Sequence, residues 1–132
     1  MTSVERPLPK QRPVYLNLTR IRLPLPGIVS FLHRVSGAGL FLVGLPMLLY
    51  AVQTSLTSPE SFASLRALFA MPLVKIILIG LVWAYLHHFC AGLRYLLLDV
   101  HQFIDLKPAR QSSAVVMIAS LALTVLIGIR LW

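Results

Sequence analysis

Three apolar blocks, at about residues 28–52, 73–98 and 113–131, dominate this 132-residue chain. Each is close to the roughly 20 residues that a membrane-crossing helix needs. Inside hydrocarbon every backbone N–H and C=O must be satisfied within the segment, so such blocks have one economical conformation, the α-helix. The expected fold is therefore an all-α membrane protein with three transmembrane helices in the lipid bilayer. Hydrophobic residues make up 58% of the chain and charged residues only 12%, about half the charged share of an ordinary soluble domain. Residues 1–27 read as a basic, proline-rich arm and 28–132 as one three-helix membrane domain.

Charge placement gives the topology. The net charge of +8 would suggest nucleic acid in a soluble protein. Here Arg6, Lys10, Arg12, Arg20, Arg22 and Arg34 precede or open the first span, against Glu5 alone. Lys107 and Arg110 lie between the second and third blocks, while Arg66 and Glu60 balance in the loop from Gln53 to Met71. Positive loops stay on the cytoplasmic side. This predicts a cytoplasmic N-terminus and no nucleic-acid role, with Lys75 and Arg130 snorkelling at the outer ends. The first 27 residues hold five prolines and no continuous apolar run, so no signal-peptide core is expected. Pro24-Leu25-Pro26-Gly27 should block helix ahead of the first span, and Pro46 should bend that span. Ser58, Pro59 and Glu60 read as the start of a short amphipathic surface helix with Phe62, Leu65 and Phe69 on one face. The single cysteine, Cys90, excludes an intramolecular disulfide.

Ionisable residues within an apolar span are costly and point to function. His88, Gly92, Tyr95 and Asp99 recur at helical offsets of 0, 4, 7 and 11 and share a face; His87, Ala91 and Arg94 share another. An imidazole one turn from a glycine offers a nitrogen ligand and room for a flat macrocycle, as haem ligation between packed helices requires. Spacing alone equally allows a histidine hydrogen-bonded to a neighbouring helix, and His87, which lacks the glycine, ranks second. Ser30 and Arg34 share a face at the mouth of the first span and can both donate to one carbonyl, such as a quinone's. The same pair also fits a snorkelling arginine beside an N-cap serine. A haem with two histidine ligands would need the second from another chain, because no other histidine here is a credible ligand at the same depth, His33 being expected near the cytoplasmic end. Three helices are also too few to enclose a porphyrin and a quinone together.

Arg12-Pro13-Val14, Leu18, Leu25 and Ser30-x-x-His33-Arg34-x-Ser36 together resemble the first signature of the cytochrome b membrane-anchor subunits of succinate dehydrogenase. His88, Gly92, Arg94 and Asp99 resemble the second signature, His-x-x-x-Gly-x-Arg-His with a later aspartate. Tyr95 departs from it, standing where histidine is usual, and Leu98 and His101 are also unusual. The resemblance spans almost the whole chain. It implies His88 as axial ligand of haem b, Ser30 and Arg34 as quinone-site residues, and His33 and Arg34 near the haem propionates. The phenol of Tyr95 could donate a hydrogen bond in place of the histidine. It further implies a bacterial inner (plasma) membrane complex with a second small membrane-anchor subunit sharing the haem. An iron–sulfur subunit would pass electrons to ubiquinone, and a flavoprotein subunit would carry the succinate-oxidising site. No catalytic residue is expected in this chain. An anchor for fumarate reductase and a non-redox structural membrane subunit are the alternatives.

Overall fold

The computed structural model describes residues 21–132. The basic arm up to Arg20, with Arg12-Pro13-Val14 and Leu18, lies outside the described residues. Five α-helices follow: α1 (Leu25–Gly39), α2 (Leu45–Thr57), α3 (Pro59–Ala70), α4 (Pro72–Asp99) and α5 (Leu106–Leu131). A π-helical turn, Leu40–Gly44, joins α1 to α2 without a break. Three stretches are long and apolar enough to span a membrane: Leu25–Thr57, Pro72–Asp99 and Leu106–Leu131. The chain is thus a three-span helical protein, with α3 between the first and second spans.

Each helix extends past its apolar block, for local reasons. The first starts at Leu25, inside the segment expected to block it. Pro24 is the cap, and its carbonyl accepts from Gly27 N and Ile28 N at 2.8 and 3.1 Å. Pro26 sits in the first turn, where a missing N–H costs nothing. Within the span, the Leu45 amide reaches back to the Leu40 carbonyl, the wide turn that sets up Pro46. A proline ring clashes with the carbonyl four residues upstream, and a π turn relieves such a clash without ending the helix. α5 starts at Leu106 rather than near residue 113, so Lys107 and Arg110 belong to its first turns and not to a loop.

The connections are tight. Ser58 alone separates α2 from α3. Its hydroxyl accepts from Ser61 N at 3.2 Å, and Ser61 Oγ accepts from Ser58 N at 3.0 Å, closing a capping box. A hydrogen bond from Ser58 also holds the Glu60 carboxyl below its ordinary pKa. On α3 Leu65 is buried and Phe69 half-buried, whereas Phe62 is exposed, so the expected apolar face is only partly used. The α4–α5 turn is strained: His101 and Phe103 take φ of 62° and 61°. His101 N donates to Leu98 O and Gln102 N to Leu97 O, both at 2.9 Å, the crossed pair that ends a helix at a left-handed residue.

The bundle is polar inside and apolar outside. α4 packs against α1 and α5, and α1 also touches α5. Among the described hydrophobic residues only Val29, Leu65, Ala91 and Val116 are buried, while Ser36, His87, Arg94, Ser113, Ser120 and Thr124 are buried with them. Most large apolar side chains face outward. Helices in lipid associate through small residues and close backbones in this way, because hydrocarbon already solvates the apolar ones. On α5 the seam is Ser113, Val116, Ser120 and Thr124. The three hydroxyls donate to carbonyls of their own helix, at 2.7, 3.1 and 2.7 Å, so none is left unsatisfied in the seam. At the far end Lys75 Nζ donates to Trp132 O at 3.3 Å and lies 5.4 Å from the centre of its indole, tying α4 to α5.

Candidate functional site

The up–down–up course of the spans brings the start of α1, the end of α4 and the start of α5 to one end of the bundle. Ser30, His33, Arg34, His88 and Tyr95 all lie toward it. The two faces of α4 separated by helical spacing have different environments. His87, Ala91 and Arg94 are buried against the other helices. His88, Gly92 and Tyr95 are half-buried and meet residues of α1.

His88 is held firmly. Its Nδ1–H donates to the main-chain carbonyl of His33 at 3.0 Å, since a carbonyl can only accept. Ser36 Oγ lies 3.5 Å from the same nitrogen and donates to the same carbonyl at 3.0 Å. With the proton on Nδ1, the neutral imidazole keeps its lone pair on Nε2. A backbone carbonyl that fixes tautomer and ring orientation is the usual support of a metal-binding histidine. The described residues place no hydrogen bond on Nε2.

The glycine that makes room for this imidazole lies on the facing helix. A Cβ at Gly37 on α1 would stand 2.7 Å from His88 Cε1. Gly92 faces His33 instead, whose Nε2 would be 3.9 Å from a Cβ there. The His33 ring stacks on His88, with centroids 4.2 Å apart and planes 11° from parallel, so His33 lies at the depth of His88 and not apart from it as expected; stacked side by side, the two rings cannot face one iron from opposite sides. Tyr95 lies on the other side of His33 at 5.2 Å, tilted by 50°. Sequence spacing along α4 could find His88 and Gly92 but not the contact across to α1. Its only trace in the motifs is Ser36, at the end of the first one.

Ser30 and Arg34 are paired as expected for residues one turn apart: Arg34 Nη2 donates to Ser30 Oγ at 3.1 Å. The serine O–H is then free to donate onward, and Arg34 is exposed with further donors. His87 is fully buried, stacked on Trp83 at 5.4 Å, and neither ring nitrogen has a hydrogen-bond partner among the described residues. It faces the interior of this chain. Arg94 turns to α5, where Nε donates to Ser112 Oγ at 2.9 Å and Nη2 to Ala109 O at 3.4 Å. His101 is exposed in the turn.

The donor set here fits a haem. One imidazole carries a fixed ring and an Nε2 without a hydrogen bond among the described residues, and His33, Arg34 and Tyr95 offer polar atoms nearby. No group of three or more His, Cys, Asp or Glu side chains among the described residues could hold a bare metal ion.

Residues 9–127 match the family model described as succinate dehydrogenase/fumarate reductase transmembrane subunit. The chain is similar to the protein named succinate dehydrogenase cytochrome b556 subunit of Paracoccus denitrificans, 34% identical over 87% of this chain and 88% of the relative. It is likewise similar to the Coxiella burnetii protein of that name, 33% identical over 92% of this chain and 98% of the relative. The protein of that name from Rickettsia prowazekii is 23% identical over 98% of this chain and all of the relative.

Proposed function

Since the chain belongs to the family of succinate dehydrogenase/fumarate reductase transmembrane subunits, we propose that it is the membrane-anchoring, haem b-binding subunit of a succinate dehydrogenase. It is a multi-pass protein of the bacterial inner membrane. In this reading it helps electrons from succinate reach ubiquinone by way of iron–sulfur clusters. The flavoprotein and iron–sulfur subunits carry the dehydrogenase chemistry, and the basic arm and the Ser30–Arg34 end face them on the cytoplasmic side. The names of the relatives favour succinate dehydrogenase over fumarate reductase.

The observation that carries the reading is the fixed tautomer of His88, with Nδ1 bonded to His33 O and no hydrogen bond on Nε2 among the described residues. His88 would hold haem through this nitrogen, together with a residue of a second small membrane subunit. Haem, when bound, provides a reversible one-electron centre beside the quinone. Gly37 makes room for the His88 imidazole, and Gly92 for His33. Arg34, His33 and Tyr95 are placed to meet the propionates with charge or hydrogen bonds. Arg34 orients the Ser30 hydroxyl, which donates to a quinone carbonyl and strengthens as charge builds on that oxygen.

The test is the reduced-minus-oxidised absorption spectrum of the purified complex. His88→Ala should abolish or severely disturb the haem b band in a complex of normal subunit content. An unchanged band would remove His88 from the site, and no band in the unmodified complex would favour a purely structural subunit.

A further inference from the structure

A second site is built on the other side of α4. Arg94 lies roughly 120° around the helix from His88, at 3.6 residues per turn. It lines a cavity of about 680 Å³ between the last turns of α4, the α4–α5 turn and the first half of α5. The cavity has two chemically distinct ends. Arg94, Gln102, Gln111 and Ser112 lie toward the turn. Deeper in the bundle the lining is apolar, with Val115 and Ala119 among its residues. Leu97 and Val115 on its rim are 44% and 64% exposed, so it opens sideways, to the surroundings of the bundle at membrane depth.

Arg94 is only 6% exposed. A guanidinium has five N–H donors, and this one has two acceptors, a serine hydroxyl and a carbonyl. No carboxylate among the described residues pairs with it: Asp99 and Asp105, at the same end, are exposed and make no ion pair. A buried charge without a counter-charge is costly. Lys107 and Arg110 add exposed positive charge at the start of α5, whose N-terminus is itself partially positive. A polar, cationic end on an apolar slot open to lipid matches an amphiphile with an anionic head.

We propose that this cavity binds an anionic phospholipid, with its phosphate against Arg94 and an acyl chain along Leu97, Val115 and Ala119. Free phosphate shares the headgroup chemistry but gains nothing from the apolar depth. The site is independent of the haem and quinone reading.

Cys90, the only cysteine of the chain, lines the cavity one turn deeper than Arg94 and serves as a native reporter. The whole purified complex is placed in nanodiscs of phosphatidylcholine, with or without phosphatidylglycerol. Alkylation of Cys90 by N-ethylmaleimide is followed by peptide mass, and retained lipid by native mass spectrometry. Phosphatidylglycerol should slow Cys90 alkylation severalfold and stay on the complex, and Arg94→Gln should lose both effects. Should Arg94→Gln fail to assemble, Leu97→Trp fills the slot while leaving the charge, and it too should lose the retained lipid. Equal protection by phosphatidylcholine would overturn the site, as would full protection by inorganic phosphate alone or lipid retention in Leu97→Trp. So would a photo-crosslinker at Gln111 that captures a peptide of another subunit in place of lipid.

Discussion

His88 donates its Nδ1 proton to the backbone carbonyl of His33, 3.0 Å away on the facing helix. That one bond joins the two motifs of the chain. It fixes the first span against the second, chooses the tautomer of His88, and leaves Nε2 for a ligand. The carbonyl also accepts from Ser36 Oγ, so the acceptor is itself positioned from both sides.

Gly37 should therefore govern the ligand geometry from another helix. Gly37→Ala puts a methyl 2.7 Å from His88 Cε1, and the ring, held at Nδ1, has to tilt. The low-spin haem signal of the complex should weaken or shift in electron paramagnetic resonance. Gly39→Ala, with nothing within 4 Å of the new atom, should leave it unchanged. Equal effects from both would point to general helix perturbation instead.

His87 should be dispensable for haem. It is buried without a hydrogen-bond partner among the described residues, and an unsatisfied buried polar group costs about 1–3 kcal/mol. His87→Leu should keep the haem b spectrum and hold or raise the melting temperature of the complex. Loss of the band with intact subunits would reverse the assignment of the two histidines.

Quinone chemistry should separate from succinate chemistry at Ser30 and Arg34. Losing a hydrogen bond to a buried carbonyl costs about 1–3 kcal/mol, and each ~1.4 kcal/mol is roughly tenfold in rate. Ser30→Ala and Arg34→Ala should lower quinone reduction by about that factor or more. Succinate oxidation with a soluble dye acceptor should persist. A parallel fall in both activities at normal subunit content would contradict a quinone role.

The α4–α5 turn carries removable strain. His101 sits at φ 62°, a region that costs a residue with a Cβ roughly 1–2 kcal/mol and glycine almost nothing. His101→Gly should raise the melting temperature of the complex, and His101→Val, β-branched, should lower it. A lower melting temperature for the glycine variant would mean that the imidazole contributes contacts outweighing the strain.

Much of this was legible from periodicity, because in a membrane hydropathy and helical spacing are nearly the whole local code. The three spans, the Ser58 cap and the division of α4 into a His88 face and a His87 face follow from residues within a few turns of each other. Contacts across helices left no such trace. Gly37 and Ser36 meet His88 from some 50 residues away, so Gly92 drew the attention that Gly37 shares. Nor does spacing say which way Arg94 points; only the packed α5 does, through Ser112 and Ala109. Pro26 looked like a helix breaker because its effect depends on whether it falls in the first turn or later. The early start of α5 escaped notice because its first turns are polar while its span is not.

In the proposed function this chain encodes one wall of a haem site whose other wall belongs to a second membrane subunit. The most direct measurement is the low-spin haem signal of the purified chain alone, beside that of the chain co-expressed with that subunit. The lone chain should show no stable six-coordinate haem, since half a site orders the porphyrin without the second ligand bond or its packing. The co-expressed pair should show it fully. A complete bis-ligated signal from the isolated chain, at one haem per monomer, would mean that both ligands lie within it and would contradict the account.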